Sequence, residues 1–99
     1  MRQAAKTDAN QTVIVNALRK AGASVQSLAA VGKGCPDLLV GYGGINYLME
    51  VKDGNKVPSA QKLNIEQEHW HSVWKGAVHI VKSENEALKI LQDKNDLQT

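Results

Sequence analysis

The sequence predicts a single α/β domain with elements in the order αβββαβα. Three observations lead there. Asn10 to Ala21 repeats apolar residues at helical spacing. Three short β-forming runs follow, separated by glycine-rich turns. A helical stretch, a strand and a further helical stretch then close the chain. A mixed sheet flanked by helices is the architecture this order implies.

In the first helix Val13, Ile14, Ala17, Leu18 and Ala21 form one apolar stripe, with Thr12, Asn16, Arg19 and Lys20 on the other side. Asp8 and Gln11 fit a capping box, and Gly22 is a natural stop. Ser24 to Leu28 reads as the first strand and Pro36 to Val40 as the second, because proline is tolerated where a strand begins. Gly41 to Gly44 marks a hairpin turning at Gly43-Gly44, and Ile45 to Val51 is the third strand. A polar loop from Asp53 to Pro58 leads to a second helix over Ala60 to Trp74, whose Leu63, Gln67, Trp70 and Trp74 share a face beside Val73. Ala77 to Val81 is the fourth strand. Ser83 and Glu86 form a capping box for a last helix through Leu91. Residues 1–7 read as a flexible arm, 8–91 as the domain and 92–99 as a polar, frayed tail.

Ninety-nine residues with 42% hydrophobic content suffice for one core, but a chain this short buries a smaller share of its surface than a larger one. A partner subunit is an attractive source of extra surface. Twelve Lys and Arg against ten Asp and Glu leave a formal charge of +2, which is compatible with nucleic acid without demonstrating it. Only the first twenty residues are locally basic, through Arg2, Lys6, Arg19 and Lys20. The single cysteine, Cys35, excludes an intramolecular disulfide framework and a thiol zinc cluster. No apolar run approaches a membrane span or a signal-peptide core, so a cytosolic protein with no membrane partner is expected.

Strand parity locates the chemistry. Glu50 and Lys52 are two apart and emerge on one face of the third strand, while the hairpin brings Asp37, at the start of the second strand, beside them. Both acids sit in apolar runs, Asp37 before Leu38-Leu39-Val40 and Glu50 between Leu48-Met49 and Val51. Buried carboxylates that converge need a counter-charge. A divalent Mg²⁺ or Mn²⁺ ion supplies one and takes its other ligands from water and phosphate. Lys52 then either handles the attacking water or stabilises charge developing on a phosphodiester.

Gly34-Cys35-Pro36-Asp37, twelve residues, and Glu50-Val51-Lys52 resemble the PD-(D/E)XK nuclease signature. The flanking Gly32-Lys33 and Leu38-Leu39-Val40-Gly41, with Leu48-Met49, are similar to its virus-type replication-repair nuclease (VRR-NUC) branch. That branch is close to small phage nucleases and akin to Holliday-junction resolvases, and the resemblance covers about residues 8 to 91. It implies a restriction-endonuclease-like αβββαβ core with an added C-terminal helix, and an endonuclease that cuts DNA, with branched or Holliday-junction-like structures as the expected substrate. Asp37, Glu50 and the backbone carbonyl of Val51 would then hold the metal, with Lys52 assisting hydrolysis. A bacterial cell or a phage-infected host, a homodimer and a replication or repair partner are further implications. One departure stands out: relatives carry a glutamate on the first helix where this chain offers Asp8, Asn10 and Gln11. Asn10 is the favoured substitute ligand, with local capping as the alternative.

Gln67 interrupts the apolar face of the second helix, and with Ser59 it resembles a serine-glutamine arrangement common in the family. Its amide is expected at the active site, the alternative being a satisfied structural amide, with Gln61 the lesser candidate. Lys33 and Ser59, together with Arg19 and Lys20, are candidate nucleic-acid contacts. His69 and His71 cannot share a helical face, and His79 lies in a strand, so all three histidines read as structural. Trp70 and Trp74 read as core or dimer packing, and Cys35 as a neighbour of the site. Two other functions fit the same residues: a non-catalytic DNA-binding or architectural protein on a nuclease-like fold, and an interaction subunit docking through Trp70 and Trp74.

Overall fold

A computed structural model describes residues 9–98, and the side chains of 9–93. The expected arm at 1–7 and the cap at Asp8 lie outside the described residues. The elements are α1 (Ala9–Lys20), β1 (Ser24–Ser27), β2 (Leu38–Tyr42), β3 (Ile45–Val51), a 3-10 turn (Pro58–Gln61), α2 (Ile65–Val73), β4 (His79–Val81) and α3 (Glu84–Gln98). The strands form one mixed sheet in the order β1-β2-β3-β4, antiparallel except for the β3-β4 pair.

Local chemistry explains most boundaries. Helix α1 ends in a Schellman motif: Ala23 N donates to Leu18 O at 3.0 Å, Gly22 N donates to Arg19 O at 3.0 Å, and Gly22 has φ 101°. The β2-β3 hairpin pairs Tyr42 with Ile45, so Gly43 (φ 59°) and Gly44 (φ 80°) are its two turn residues. Positive φ at both is what a type I′ turn requires.

The core lies on one side of the sheet. Leu38, Val40, Tyr47, Met49, Val51 and Val81 pack with Ile14 and Leu18 of α1 and Ala87 and Leu91 of α3. By alternation the opposite face carries Leu39, Leu48, Glu50 and Ile80. That face is more open, since Ile80 is exposed and Leu39 and Leu48 are only partly buried, yet Glu50 on it is 1% exposed. What covers Glu50 is α2.

Several boundaries differ from expectation, β1 ending at Ser27 and β2 running on to Tyr42 among them. Strand β2 begins at Leu38 because Pro36 has no N–H to offer a ladder. Strand β4 begins at His79, the residue that pairs with Met49. Helix α2 starts at Ile65, not Ala60. Asn64 caps it, accepting from Gln67 N at 2.9 Å while Gln67 Oε1 accepts from Asn64 N at 2.9 Å, and the preceding Pro58–Gln61 turn is separated by extended Lys62. Helix α3 runs on to Gln98 where a frayed tail from Gln92 was expected. The segment is polar but contains no glycine or proline, and Lys89 pairs with Asp93 one turn on at 3.6 Å. At the start of α3, Ser83 Oγ accepts from Glu86 N, but Glu86 Oε1 accepts from Lys82 N, so the expected reciprocal box is replaced by a longer reach back. No helix among the described residues is long and apolar enough to cross a membrane.

Candidate active site

The site is assembled where β2 begins and β3 ends. Glu50 and Lys52 emerge on the same face, and Lys52 Nζ stands 3.9 Å from Glu50 Oε2. The backbone of Lys52 is held in line by its N–H donating to Val81 O at 2.9 Å. Asp37 immediately precedes β2, and its Oδ2 accepts from Val51 N at 2.7 Å. The acid is thereby locked to the strand that carries Glu50. Val51, expected to lend its carbonyl to a cation, takes part here through its N–H.

Helix α2 completes the arrangement with Gln67. Its Oε1 accepts from Lys52 Nζ at 2.9 Å and its Nε2 donates to Glu50 Oε2 at 2.9 Å, in addition to the cap it makes with Asn64. One amide therefore spaces the lysine from the glutamate and anchors both to the first turn of α2. Removing a carboxylate from water is expensive, and a donated hydrogen bond plus a nearby ammonium offset part of that cost.

His71 is the residue that sequence reasoning assigned elsewhere. It lies one turn after Gln67, so both project toward the sheet, and its Nε2 is 4.0 Å from Glu50 Oε1. The atom is buried and has no hydrogen-bond partner among the described residues. Burial, and then the charge of Lys52, pushes the imidazole below its ordinary range toward the neutral form. The signal was available: the i, i+4 relation to Gln67 points to His71, whereas the comparison with His69 concealed it. His69 is exposed.

The loop before β2 is shaped to receive α2. Gly32, Lys33 and Gly34 have φ 70°, 57° and 84°, and a Cβ at Gly34 would stand 2.3 Å from Glu66 O and 3.0 Å from Gln67 N. The missing side chain lets the loop touch the backbone that carries Gln67. Cys35 is next to this contact, and its thiol is pushed up by burial first, then by Glu50 and Asp37. It is a neighbour of both carboxylates.

Other candidates are distributed differently. Asn10 reaches this end of the sheet, but its Nδ2 donates to Lys52 O at 2.9 Å and Lys82 O at 3.0 Å, so it ties α1 to the ends of β3 and β4. The amide nitrogen is thus a clamp, and the expected ligand role would fall to its Oδ1. Lys33 is exposed on the glycine loop, and Ser59 is exposed on the 3-10 turn. Gln61 Nε2 is taken up by Gly54 O and Lys56 O. Arg19 donates to Val25 O at 3.1 Å and, with Lys20, occupies the far end of α1, about 14 Å from Asn10 along the axis. The structure therefore does not bring Arg19 and Lys20 to the acids. Trp70 and Trp74 stack with ring centroids 4.5 Å apart, and Trp74 is 47% exposed.

Among the described residues no group of three or more His, Cys, Asp or Glu side chains is arranged to hold a metal ion. Asp37 and Glu50 are the carboxylates that a magnesium or manganese ion would have to use at this end of the sheet, with water and phosphate oxygens as its other ligands. No family model matches the chain, and neither a curated protein nor a solved structure does. The functional reading therefore rests on these residues and on the signature they resemble.

Proposed function

We propose that this chain is a divalent-metal-dependent endonuclease that hydrolyses DNA phosphodiester bonds, on a PD-(D/E)XK core of the VRR-NUC type. The observation that carries the reading is the Gln67 amide, which bonds Lys52 Nζ and Glu50 Oε2 at 2.9 Å each. A lysine and a nearly inaccessible glutamate held apart by a third side chain, beside an aspartate fixed to the same strand, form a preorganised polar site.

In this reading Asp37 and Glu50 hold Mg²⁺ or Mn²⁺, which when bound supplies Lewis acidity and lowers the pKa of water. Lys52 presents its ammonium to the reacting phosphate, and Gln67 keeps that ammonium from collapsing onto Glu50. Lys33, exposed on the loop that abuts α2, is the cation best placed to meet backbone phosphate. Two copies related by a two-fold axis would present two such centres to a branched DNA of matching symmetry.

The test is cleavage of a panel of single-stranded, duplex, flap and four-way-junction DNA with Mg²⁺ or Mn²⁺. Cutting that stops on chelation, and that Glu50→Gln abolishes, supports the reading; equal turnover by Glu50→Gln at saturating metal overturns it. A second reading has an observation of its own: Ile65 (83%), Val73 (54%), Trp74 (47%) and Ile80 (43%) are exposed. These residues favour a protein-interaction subunit whose partner would cover them. That reading predicts partner binding that Glu50→Gln leaves intact and no response to metal.

A further inference from the structure

We infer that Trp74, backed by Trp70, is a stacking platform for an unpaired base of the DNA substrate, within about three nucleotides of the cut. This inference rests on the DNA-cleaving reading above and narrows its substrate to strands that offer an exposed base: flaps, branches and single strands.

The first observation is exposure. Tryptophan is highly buried on average, yet Trp74 is 47% exposed and neither indole joins the core on the other side of the sheet. The second is geometry. The two rings lie 4.5 Å apart at 18°, so one face of Trp74 is occupied by Trp70 and the exposed area falls on its other face and its edges. The chain passes the Nε1 edge of the ring at Gly76, where a Cβ would stand 3.0 Å from that nitrogen. A ring held between a stacked partner and nearby backbone is a flat π surface that is already ordered. A base landing on it continues the stack with little further loss of side-chain freedom.

The third observation is position. Gln67, Trp70 and Trp74 recur at three- and four-residue intervals, so they line one face of α2 and its C-cap. Gln67 holds Lys52 Nζ at 2.9 Å, and Trp74 lies two turns further on, about 10 Å along the helix axis. A stacked strand advances about 3.4 Å per nucleotide, so a phosphate at Lys52 and a base on Trp74 are about three nucleotides apart, and fewer if the strand is stretched. Exposed Lys75, the next residue, supplies a cation for a flanking phosphate. Inside a continuous duplex both faces of every base are covered by its neighbours. An unpaired base presents a free face, and so does the last pair of a duplex end. A base needs a flat ring at this separation from the reacting phosphate; a protein partner needs neither the flatness nor the separation.

The experiment is tryptophan fluorescence of the full chain titrated with DNA in the presence of a metal chelator, so that binding is read without turnover. Trp70 and Trp74 are the only tryptophans, and the emission therefore reports this stack alone. A short oligothymidylate should quench it saturably. An abasic strand of equal length, with the same phosphates, should not, and neither should a relaxed closed-circular duplex. A blunt linear duplex that quenches as well as the single strand would assign the ligand to an end pair and overturn the unpaired base. Trp74→Leu should weaken oligothymidylate binding about tenfold or more, read by anisotropy of a labelled strand. Ile65→Ser, at an 83% exposed position on the other end of α2, should leave it unchanged. Equal quenching by the abasic strand overturns the inference, and so does a Trp74→Leu protein that binds normally; if that variant also turns a dimer into a monomer, the face is a subunit interface. Base-dependent quenching by a chain that never cuts supports stacking and overturns the endonuclease reading, whereas metal-dependent cutting without quenching does the reverse. The abasic comparison uses the unaltered chain and decides the matter even if Trp74→Leu does not fold.

Discussion

Gly34 lies against the carbonyl of Glu66, so close that a Cβ on the glycine would stand 2.3 Å from that oxygen. This contact joins the loop before β2 to the first turn of α2, and through Gln67 it reaches Lys52 and Glu50.

Gly34→Ala should therefore damage the site as well as the fold. The substitution strains a residue at φ 84° and forces α2 away from the loop. A loss of about 2 kcal/mol or more is expected from strain and backbone displacement together. Gly32→Ala is the control: its φ is also positive, at 70°, but its Cβ would meet nothing within 4 Å. It should cost about 1 kcal/mol and leave turnover nearly unchanged. Urea unfolding and DNA cleavage, measured on both variants, separate strain from displacement; equal effects would show that the Gly34 contact is unimportant.

Gln67 serves two purposes that substitution can divide. Gln67→Ala removes the cap to Asn64 and both links to Lys52 and Glu50, so stability should fall by about 1 kcal/mol and turnover by about 10- to 100-fold. Gln67→Glu keeps an oxygen for Asn64 N and Lys52 Nζ but loses the donor to Glu50 and sets two carboxylates together. It should melt below the wild type at neutral pH, because a second carboxylate beside buried Glu50 repels it, and remain catalytically weak. Full activity in a Gln67→Ala protein with a lowered melting temperature would make the residue purely structural.

Tyr47 carries a buried hydroxyl with no hydrogen-bond partner among the described residues, on the core face of β3 away from the site. Tyr47→Phe should keep or raise the melting temperature, because it deletes an unsatisfied polar atom while the ring remains. Burial, and then Tyr42, raises the Tyr47 phenol above its ordinary 10.0. The unfolded chain thus loses this proton at lower pH than the folded one. The associated stability is whole below pH 10 and is lost as pH rises through the folded value. Alkaline melts should show a decline above pH 10 that Tyr47→Phe reduces; an identical decline in the variant would assign it to other groups.

A homodimer should be the active particle under the proposed function. Light scattering at the concentrations used for cleavage should give close to twice the 10.8 kDa chain mass. A fully active monomer would dismiss paired cutting and leave the chemistry of Asp37, Glu50 and Lys52 untouched.

The sequence by itself determined what depends on neighbours along the chain. Glycines at 43 and 44 permit a two-residue turn, which sets the β2-β3 register. The period of a strand then places Glu50 and Lys52 on one face, and the hairpin returns Asp37 to Val51. The stripe of α1 and its stop at Gly22 were legible for the same reason. Only the tertiary structure decided how distant groups pair. Asn10 offered an amide that could have been a ligand or a cap, and the packing of α1 turned its nitrogen to the carbonyls of Lys52 and Lys82. Arg19 and Lys20 joined a basic segment in sequence, yet the length of α1 carries them from the acids. Polarity at Gln92 and beyond resembled a tail, but polarity describes only a solvated face, and a helix can present one along its whole length. His71 looked structural beside His69; its meaning came from Glu50, which lies on another element. A side chain's alternatives are local, but the choice among them is made by whichever polar group the fold brings within reach, because a buried donor or acceptor left alone is costly.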